Sequence, residues 1–187
     1  MRPSNRSAII EAAHRVAERQ GGADFSYETT ATEAGLTKAG VLYHFPSRHD
    51  LVLAVVGYVA ESWEEAMLAV LGRPFDEATP SERIRAYVQV AAGDEVSRAD
   101  FAIYADALCR PAHVGPWNDV FSRWFDLAGC TPDERARLMT ARFAADGLWV
   151  AKATGILPPS AEEHDGLVAH LLSLTDEPSA KSEGGAR

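Results

Sequence analysis

The segment at residues 26–45 constrains the fold of this chain more than any other, and it has the sequence SYETTATEAGLTKAGVLYHF. Ser26 is a residue type that caps helix N-termini, and Gly35 easily adopts the left-handed conformation that ends a helix. Thr37 can cap a second helix of about two turns, which has to end before Pro46. Two short helices joined by a glycine turn are typical of a helix-turn-helix, whose second helix enters the major groove of DNA.

The segments outside this pair are also typical of helices. Residues 79–82, 131–134 and 160–163 have the Ser/Thr-x-x-Glu form of a capping box, and residues 47–50 have a weaker version. Gly21-Gly22 is expected to end the first helix. Apolar residues of that helix recur at the spacing of one buried face: Ile9, Ala12, Ala13, Val16 and Ala17.

The chain is therefore predicted to be all-α. No stretch alternates between apolar and polar residues for long enough to form a convincing strand. The apolar periodicity and the caps predict helices near residues 5–20, 27–34, 38–44, 48–71, 80–95, 98–109, 113–129, 132–153 and 160–175.

The composition of the chain limits which classes of protein it can belong to. The longest uncharged apolar run, at 51–60, is well short of the roughly 20 residues that a membrane span needs. The N-terminus lacks the apolar stretch of a signal peptide, so we expect a cytoplasmic protein without a membrane partner. Cys109 and Cys130 form no metal-ligand pattern and are interpreted as small buried hydrophobic residues. We expect neither a metal nor a cofactor.

The net charge of −9 argues at first against a nucleic-acid partner. Residues 1–52, however, carry six basic and six acidic side chains, so the acidity lies entirely in the rest of the chain. An acidic body would repel phosphates and orient the neutral end toward DNA.

Several motifs keep a characteristic order and spacing: IEAA at 10–13, AGLTKAG at 34–40, YHFPSR at 43–48, and Leu51. In this order they resemble the N-terminal domain of the TetR family of bacterial regulators. DGLW at 146–149 resembles the penultimate helix of many family members. The chain departs from the family pattern at Thr30, where isoleucine or leucine is usual, at Leu42, where an aromatic is common, and at Ala39-Gly40. These departures affect the expected operator preference and leave the expected fold unchanged.

The resemblance implies a ligand-responsive regulator with three parts. We expect a three-helix helix-turn-helix domain at 1–47, a helical effector-binding and dimerisation domain at 48–175, and a disordered tail at 176–187. Such a protein would bind palindromic double-stranded DNA as a homodimer, act as a repressor, and be released by a small apolar or amphipathic effector.

The expected DNA contacts follow from side-chain chemistry and from the resemblance. Hydroxyls, the lysine ammonium, the imidazole and the guanidinium can reach phosphate oxygens, whereas Ala39 and Gly40 allow close approach to base edges. Tyr43 could instead be a buried aromatic, and core packing is an equal alternative for His44. Leu36 and Phe45 are interpreted as core. The candidate DNA-binding residues are Ser26, Tyr27, Thr37, Lys38, Ala39, Gly40, Tyr43, His44 and Arg48.

Aromatic residues are dense between 101 and 125, and an apolar cavity with a few polar groups is the usual form of a small-molecule site. The alternative is that these rings simply fill a helical core. Asp106 and Asp146 could each orient a cationic effector, although a helix-surface or interface position is the preferred interpretation of both. The candidate ligand-binding residues are Trp63, Tyr87, Phe101, Tyr104, Trp117, Phe121 and Trp149.

The last two long helices are expected to form the dimer interface as a four-helix bundle. The apolar residues assigned to it could instead serve the chain's own core, and the resemblance favours the interface. They are Leu138, Ala141, Ala145, Leu148, Trp149, Leu167, Val168, Leu171 and Leu172.

Two other classes of function were compared with this one. No histidine lies beside a nucleophile elbow, an HExxH motif or a phosphate loop, so an enzyme is not expected. A small-molecule-binding helical protein that lacks DNA binding is the main alternative, because the chain is acidic overall.

Overall fold

The computed structural model describes residues 5–20, 23–93 and 97–176. The described residues form α-helices and one 3-10 turn at Phe75–Glu77, and they contain no strand, which confirms the all-α prediction. The helices are α1 Asn5–Gln20, α2 Tyr27–Ala34, α3 Lys38–His44, α4 Arg48–Leu71, α5 Pro80–Ala91, α6 Arg98–Leu108, α7 Gly115–Trp124, α8 Pro132–Thr154 and α9 Ala161–Ser173.

The capping signals in the sequence place helix starts correctly. Capping boxes form at Thr79, Thr131 and Ser160, and in each the glutamate three residues later accepts a hydrogen bond from the cap's backbone N–H at 2.8 Å. Ser47 forms a fourth box with Asp50. Each box satisfies backbone donors that the first helical turn would otherwise leave unpaired.

Two helices are shorter than predicted. α5 ends at Ala91, and the N–H of Gly93 bonds to the carbonyl of Val90 in a tighter turn. α7 ends at Trp124, because the Asp126 carboxylate accepts from the Ala128 N–H and Gly129 takes a φ of +82°. The expected cap at Gly21-Gly22 and the expected tail beyond Asp176 lie outside the described residues, whereas Asp176 itself pairs with Arg85 at 2.9 Å.

One continuous hydrophobic cluster joins the helix-turn-helix to the helical body. It extends from Ile9 on α1 through Val56 and Trp63 on α4 to Leu171 on α9. α4 packs against α1 on one side and against α5 and α7 on the other, so it belongs to both halves of the molecule. None of the helices described is long and apolar enough to cross a membrane.

A polar contact also crosses between the two halves. His14 on α1 lies 2.7 Å from the Asp100 carboxylate on α6. Within the helical body, His49 in the first turn of α4 lies 3.0 Å from His113, and the two rings stack with centroids 5.0 Å apart.

The two cysteines differ in exposure. Cys130 is partly buried, but Cys109 is exposed at the C-terminal cap of α6, so its interpretation as a buried hydrophobic residue is wrong. The helix ends there on the surface, which leaves the thiol outside the packed interior.

Candidate DNA-binding surface and effector site

The starts and ends of the two short helices are fixed by their own capping residues. The Ser26 hydroxyl accepts from the Thr29 N–H at 3.1 Å, while the Thr29 hydroxyl accepts from the Ser26 N–H at 2.9 Å. Gly35 takes a φ of +65°, which a residue with a side chain rarely adopts. Thr37 then caps α3 by accepting from the Gly40 N–H at 3.1 Å. The helix-turn-helix is therefore encoded locally.

The C-terminal end of α3 is anchored in the core. Val41 and Phe45 are fully buried, and the Arg6 guanidinium lies over the Phe45 ring at 4.9 Å. The Tyr27 hydroxyl donates to the Phe45 carbonyl at 2.9 Å and so ties the start of α2 to the end of α3. Leu36 is partly buried against the same cluster.

The opposite face of α3 is exposed. Lys38 and Ala39 are exposed at its start, and Tyr43 is 83% exposed, so the alternative of a buried Tyr43 is wrong. His44 is partly exposed and meets the Tyr43 ring edge-on at 5.2 Å. A protruding aromatic hydroxyl beside a lysine is a surface that can approach a phosphate backbone.

Two of the candidate phosphate ligands have partners within the chain. The Lys38 ammonium donates to the Glu28 carboxylate at 2.6 Å, which lowers the pKa of Glu28. Arg48 lies 3.8 Å from Asp24 and donates weakly to the Phe25 carbonyl. Exposed ion pairs of this kind contribute little free energy, so a phosphate can replace the carboxylate.

Thr30 on α2 is a polar residue at a buried position. It is fully buried, and its hydroxyl has no hydrogen-bond partner among the described residues. A buried hydroxyl without a partner destabilises the fold relative to an apolar side chain of the same shape.

All seven predicted ligand-binding aromatics lie together in the helical body. Trp63 and Trp149 lie at the centre, with ring centroids 4.6 Å apart. Both Phe101 and Tyr104 contact Trp149, and Trp117 contacts Tyr104 and Phe121. Tyr87 closes the set against Trp63 and Phe121. We refer to these seven rings, together with Phe125, as the aromatic cluster.

Phe125 and Asp146 also contact this site, although neither is among the candidate ligand-binding residues predicted from the sequence. Phe125 stacks on Phe121 with centroids 4.9 Å apart and meets Tyr87 edge-on. The Tyr87 hydroxyl donates a hydrogen bond to the Asp146 carboxylate. Asp146 therefore contacts the aromatic cluster through Tyr87, while its side chain remains 30% exposed, so its interpretation as a surface or interface carboxylate is not excluded by its position. Asp106 has a similar exposure and pairs with Arg110.

Burial changes the acid–base properties of this polar pair. Desolvation raises the pKa of the Asp146 carboxyl, although the Tyr87 hydrogen bond and the nearby Arg142 charge act in the opposite direction. Desolvation also raises the pKa of the Tyr87 hydroxyl well above its usual value, and the Asp146 charge adds to this. Tyr87 therefore remains a hydrogen-bond donor at neutral pH.

The aromatic cluster contains buried donors without acceptors. The indole N–H groups of Trp117 and Trp149 are buried and have no acceptor among the described residues. In contrast, the indole of Trp124, outside the cluster, donates to Glu64 at 2.6 Å. Buried donors without acceptors are uncommon in native proteins and call for an explanation.

The residues predicted for the dimer interface divide between the chain's own core and its surface. Leu167 is exposed, and Leu148, Val168 and Leu172 are partly exposed. Leu138, Ala141, Ala145, Trp149 and Leu171 are all buried inside the chain itself, so their assignment to a partner surface is wrong. A second apolar stripe lies on the outer faces of α8 and α9, and it comprises Met139, Phe143, Val150 and Leu167.

Comparisons with known proteins match both halves of the chain. Residues 9–55 match the model of bacterial regulatory proteins of the tetR family, and residues 81–176 match the tetracyclin repressor-like C-terminal domain. The HTH-type transcriptional regulator BetI of Rhizobium meliloti (strain 1021) is 26% identical over an alignment of 194 residues, covering 94% of each chain.

Solved structures show the same architecture. The multidrug binding protein EbrR complexed with imidazole is 25% identical, with a TM-score of 0.64 over 96% of this chain and 99% of that one. A transcriptional regulator from Saccharomonospora viridis in complex with choline is 22% identical, with a TM-score of 0.67 over 90% of this chain and 93% of that one, and it shows the shared fold.

Proposed function

The chain belongs to the TetR family of bacterial transcriptional regulators, and from this premise we propose that it is a repressor released from DNA by a small molecule. In this proposal a homodimer binds a palindromic operator, because two-fold protein symmetry is matched by two-fold site symmetry. The observation that carries the proposal is the exposed face of α3, with Lys38, Ala39 and Tyr43 directed away from the core.

The candidate contacts divide by chemistry into backbone and base contacts. Thr37, Lys38, Tyr43, His44 and Arg48 supply donors to phosphates. Ala39 and Gly40 bring the start of α3 close to base edges. A Cβ on Gly40 would lie 3.4 Å from the Thr37 hydroxyl oxygen, an ordinary contact, so the cap itself does not require glycine there.

Ser26 and Tyr27 belong to the same surface, but their side chains already make hydrogen bonds within the chain. Ser26 caps α2, and Tyr27 holds the end of α3. We assign them a positioning role that fixes α3 for its contacts, with the Ser26 hydroxyl at the edge of the DNA surface.

The outer apolar stripe supports a dimer through α8 and α9. Phe143 is 53% exposed and Leu167 is 43% exposed, which is unusual for large apolar side chains in an isolated helix pair. A Cβ on Gly147 would meet nothing within 4 Å, so the packing of the single chain does not require this glycine. A partner helix that packs closely against α8 at this position would instead require a glycine.

The aromatic cluster is the proposed effector site. An effector changes DNA affinity only if it binds one arrangement of the dimer more tightly than the other. α4 is suited to transmit that difference, because Trp63 lies in the cluster while Ser47 and Arg48 lie next to α3. A tilt of α4 would change the separation of the two α3 helices, which the operator fixes at about one helical turn or a multiple of it.

Selection from random double-stranded DNA tests the proposal, and we expect an enriched palindrome. On that palindrome, Lys38→Ala should weaken binding and reduce the slope of log affinity against log salt by about one phosphate contact. Arg73→Ala is the matched control, because Arg73 is an exposed cation of the body that pairs with Glu82. It should leave both quantities unchanged.

Failure to enrich any palindrome would refute the repressor proposal. It would favour the alternative of a small-molecule-binding protein without DNA binding, to which the net charge of −9 lends support. An equal loss of affinity in Lys38→Ala and Arg73→Ala would instead refute the assignment of the α3 face as the contact surface.

A further inference from the structure

A carboxylate among aromatic rings is the chemical feature that distinguishes this effector site from a plain apolar pocket. Asp146 accepts from the Tyr87 hydroxyl, and its charge adds to the effect of burial in raising the pKa of Tyr104. The rings around it present faces that carry partial negative charge. Such surroundings disfavour an unpaired anion and favour a cation placed between the carboxylate and the rings.

The Arg142 guanidinium is already a cation beside Asp146 and the Phe125 ring, but it makes no well-formed hydrogen bond to the carboxylate. Its guanidinium carbon lies 4.3 Å from the centroid of the Phe125 ring and 4.7 Å from that of Phe143. Its Nε lies 3.5 Å from the Asp146 carboxylate, is buried, and has no hydrogen-bond partner among the described residues. The well-formed bidentate bridge that arginine usually makes with a carboxylate is absent between these two side chains.

Loose pairing makes Arg142 a replaceable partner. Its side chain keeps 26% of its surface exposed, so the guanidinium can move outward into water without crossing the core. The vacated place would have a carboxylate on one side and the Phe125 face on the other. Neither group offers a favourable contact to an anion.

We propose that the effector carries an organic cation, and that this cation takes the place of Arg142 between Asp146 and Phe125. This inference rests on the proposed role of the aromatic cluster as the effector site, and it names the ligand's chemical class. Quaternary ammonium groups fit best, because they have no N–H to satisfy and bind through charge and ring faces alone.

Displacement of Arg142 also gives the ligand a route to the dimer surface. Phe143, the second ring that Arg142 contacts, lies on the outer stripe of α8. When the guanidinium moves away, Phe143 loses that contact. The same event therefore places the cation beside Asp146 and alters the face on which two chains are proposed to meet.

The test compares two probes of the same shape that differ in charge. Benzyltrimethylammonium is a cation, and neopentylbenzene is its neutral isostere. Binding is followed by fluorescence of the cluster's tryptophans and by calorimetry on the full-length protein. We expect the cation to bind about tenfold more tightly than the isostere, which corresponds to about 1.4 kcal/mol.

Two variants act in opposite directions. Asp146→Asn should remove the preference for the cation, because it deletes the charge and keeps the shape. Arg142→Met should strengthen cation binding about three- to tenfold, because the internal competitor is gone. Asp106→Asn, a carboxylate on the neighbouring α6 that pairs with Arg110, is the matched control and should bind as the unchanged protein does.

The opposite results would overturn the inference. A neutral probe that binds as tightly as the cation contradicts it, as does Arg142→Met that leaves cation affinity unchanged or lowers it. If circular dichroism shows that Asp146→Asn does not fold, Arg142→Met alone decides. Operator binding is measured on the same preparations. Intact DNA binding without a cation preference refutes only this inference, whereas absent DNA binding refutes the proposed function.

Discussion

Thr30→Val tests whether the buried hydroxyl on α2 weakens the DNA-binding half. Valine has the same shape as threonine, with a methyl group in place of the hydroxyl. Thr30 is 0% exposed and its hydroxyl has no partner among the described residues, so the substitution removes a desolvated polar group without opening a cavity. Both side chains are β-branched, so helix propensity changes little.

The expected gain follows from the cost of an unsatisfied buried group. That cost is about 1–3 kcal/mol, and we take the lower end because a single hydroxyl is involved. For a chain of this size, about 1 kcal/mol raises Tm by about 2–4 °C. Thermal unfolding followed by circular dichroism measures the shift, at one fixed protein concentration because a dimer's Tm depends on it.

A neighbouring threonine provides the control. The Thr32 hydroxyl on the same helix is exposed and donates to the Glu28 carbonyl at 2.9 Å. Thr32→Val should therefore change stability by less than about 0.5 kcal/mol. If Thr30→Val left Tm unchanged or lowered it, the Thr30 hydroxyl would have a partner in solution and the argument would be wrong.

The remaining predictions concern pH and assembly. The hydrogen bond to Asp100 raises the pKa of His14 above 6.5 and outweighs burial, which lowers it. This contact therefore stabilises the fold fully below pH 6.5 and less as the pH rises through the raised pKa. Asp100→Asn should flatten that part of the stability curve in urea unfolding between about pH 6 and 9, and a curve parallel to that of the unchanged protein would show no proton-linked contribution. For assembly, Phe143→Glu should yield folded monomers in light scattering, because the outer stripe of α8 would carry a charge. Leu171→Glu, at a position 4% exposed within the chain, should instead lower Tm, and dimers that persist in Phe143→Glu would exclude this face as the interface.

The sequence was sufficient to predict features that are decided within a few residues. The caps at Ser26, Thr37 and Thr79 are local hydrogen bonds, so their residue types predict the helix starts directly. Membership of the aromatic cluster was also predictable as a group, because large rings on several helices of one body have to be buried together.

Features that depend on how helices pack were not predictable. The bond between Tyr87 and Asp146 joins residues 59 positions apart, and nothing local to either residue indicates it. α8 carries one apolar stripe with Ala141 and Ala145 and another with Met139 and Phe143. Periodicity identifies both stripes, but only the packing of α5 against α8 decides which one faces the chain's own interior.

The continuous cluster from Ile9 to Leu171 limits how this protein can be recombined with its relatives. A chimera joined between residues 47 and 48 would place a foreign body against α1, where a carboxylate at the position of Asp100 has to meet His14. New DNA specificity is therefore most easily acquired by exchanging the exposed residues of α3 alone. Transplanting the whole N-terminal half would also require the facing residues of α4 and α6 to be changed with it.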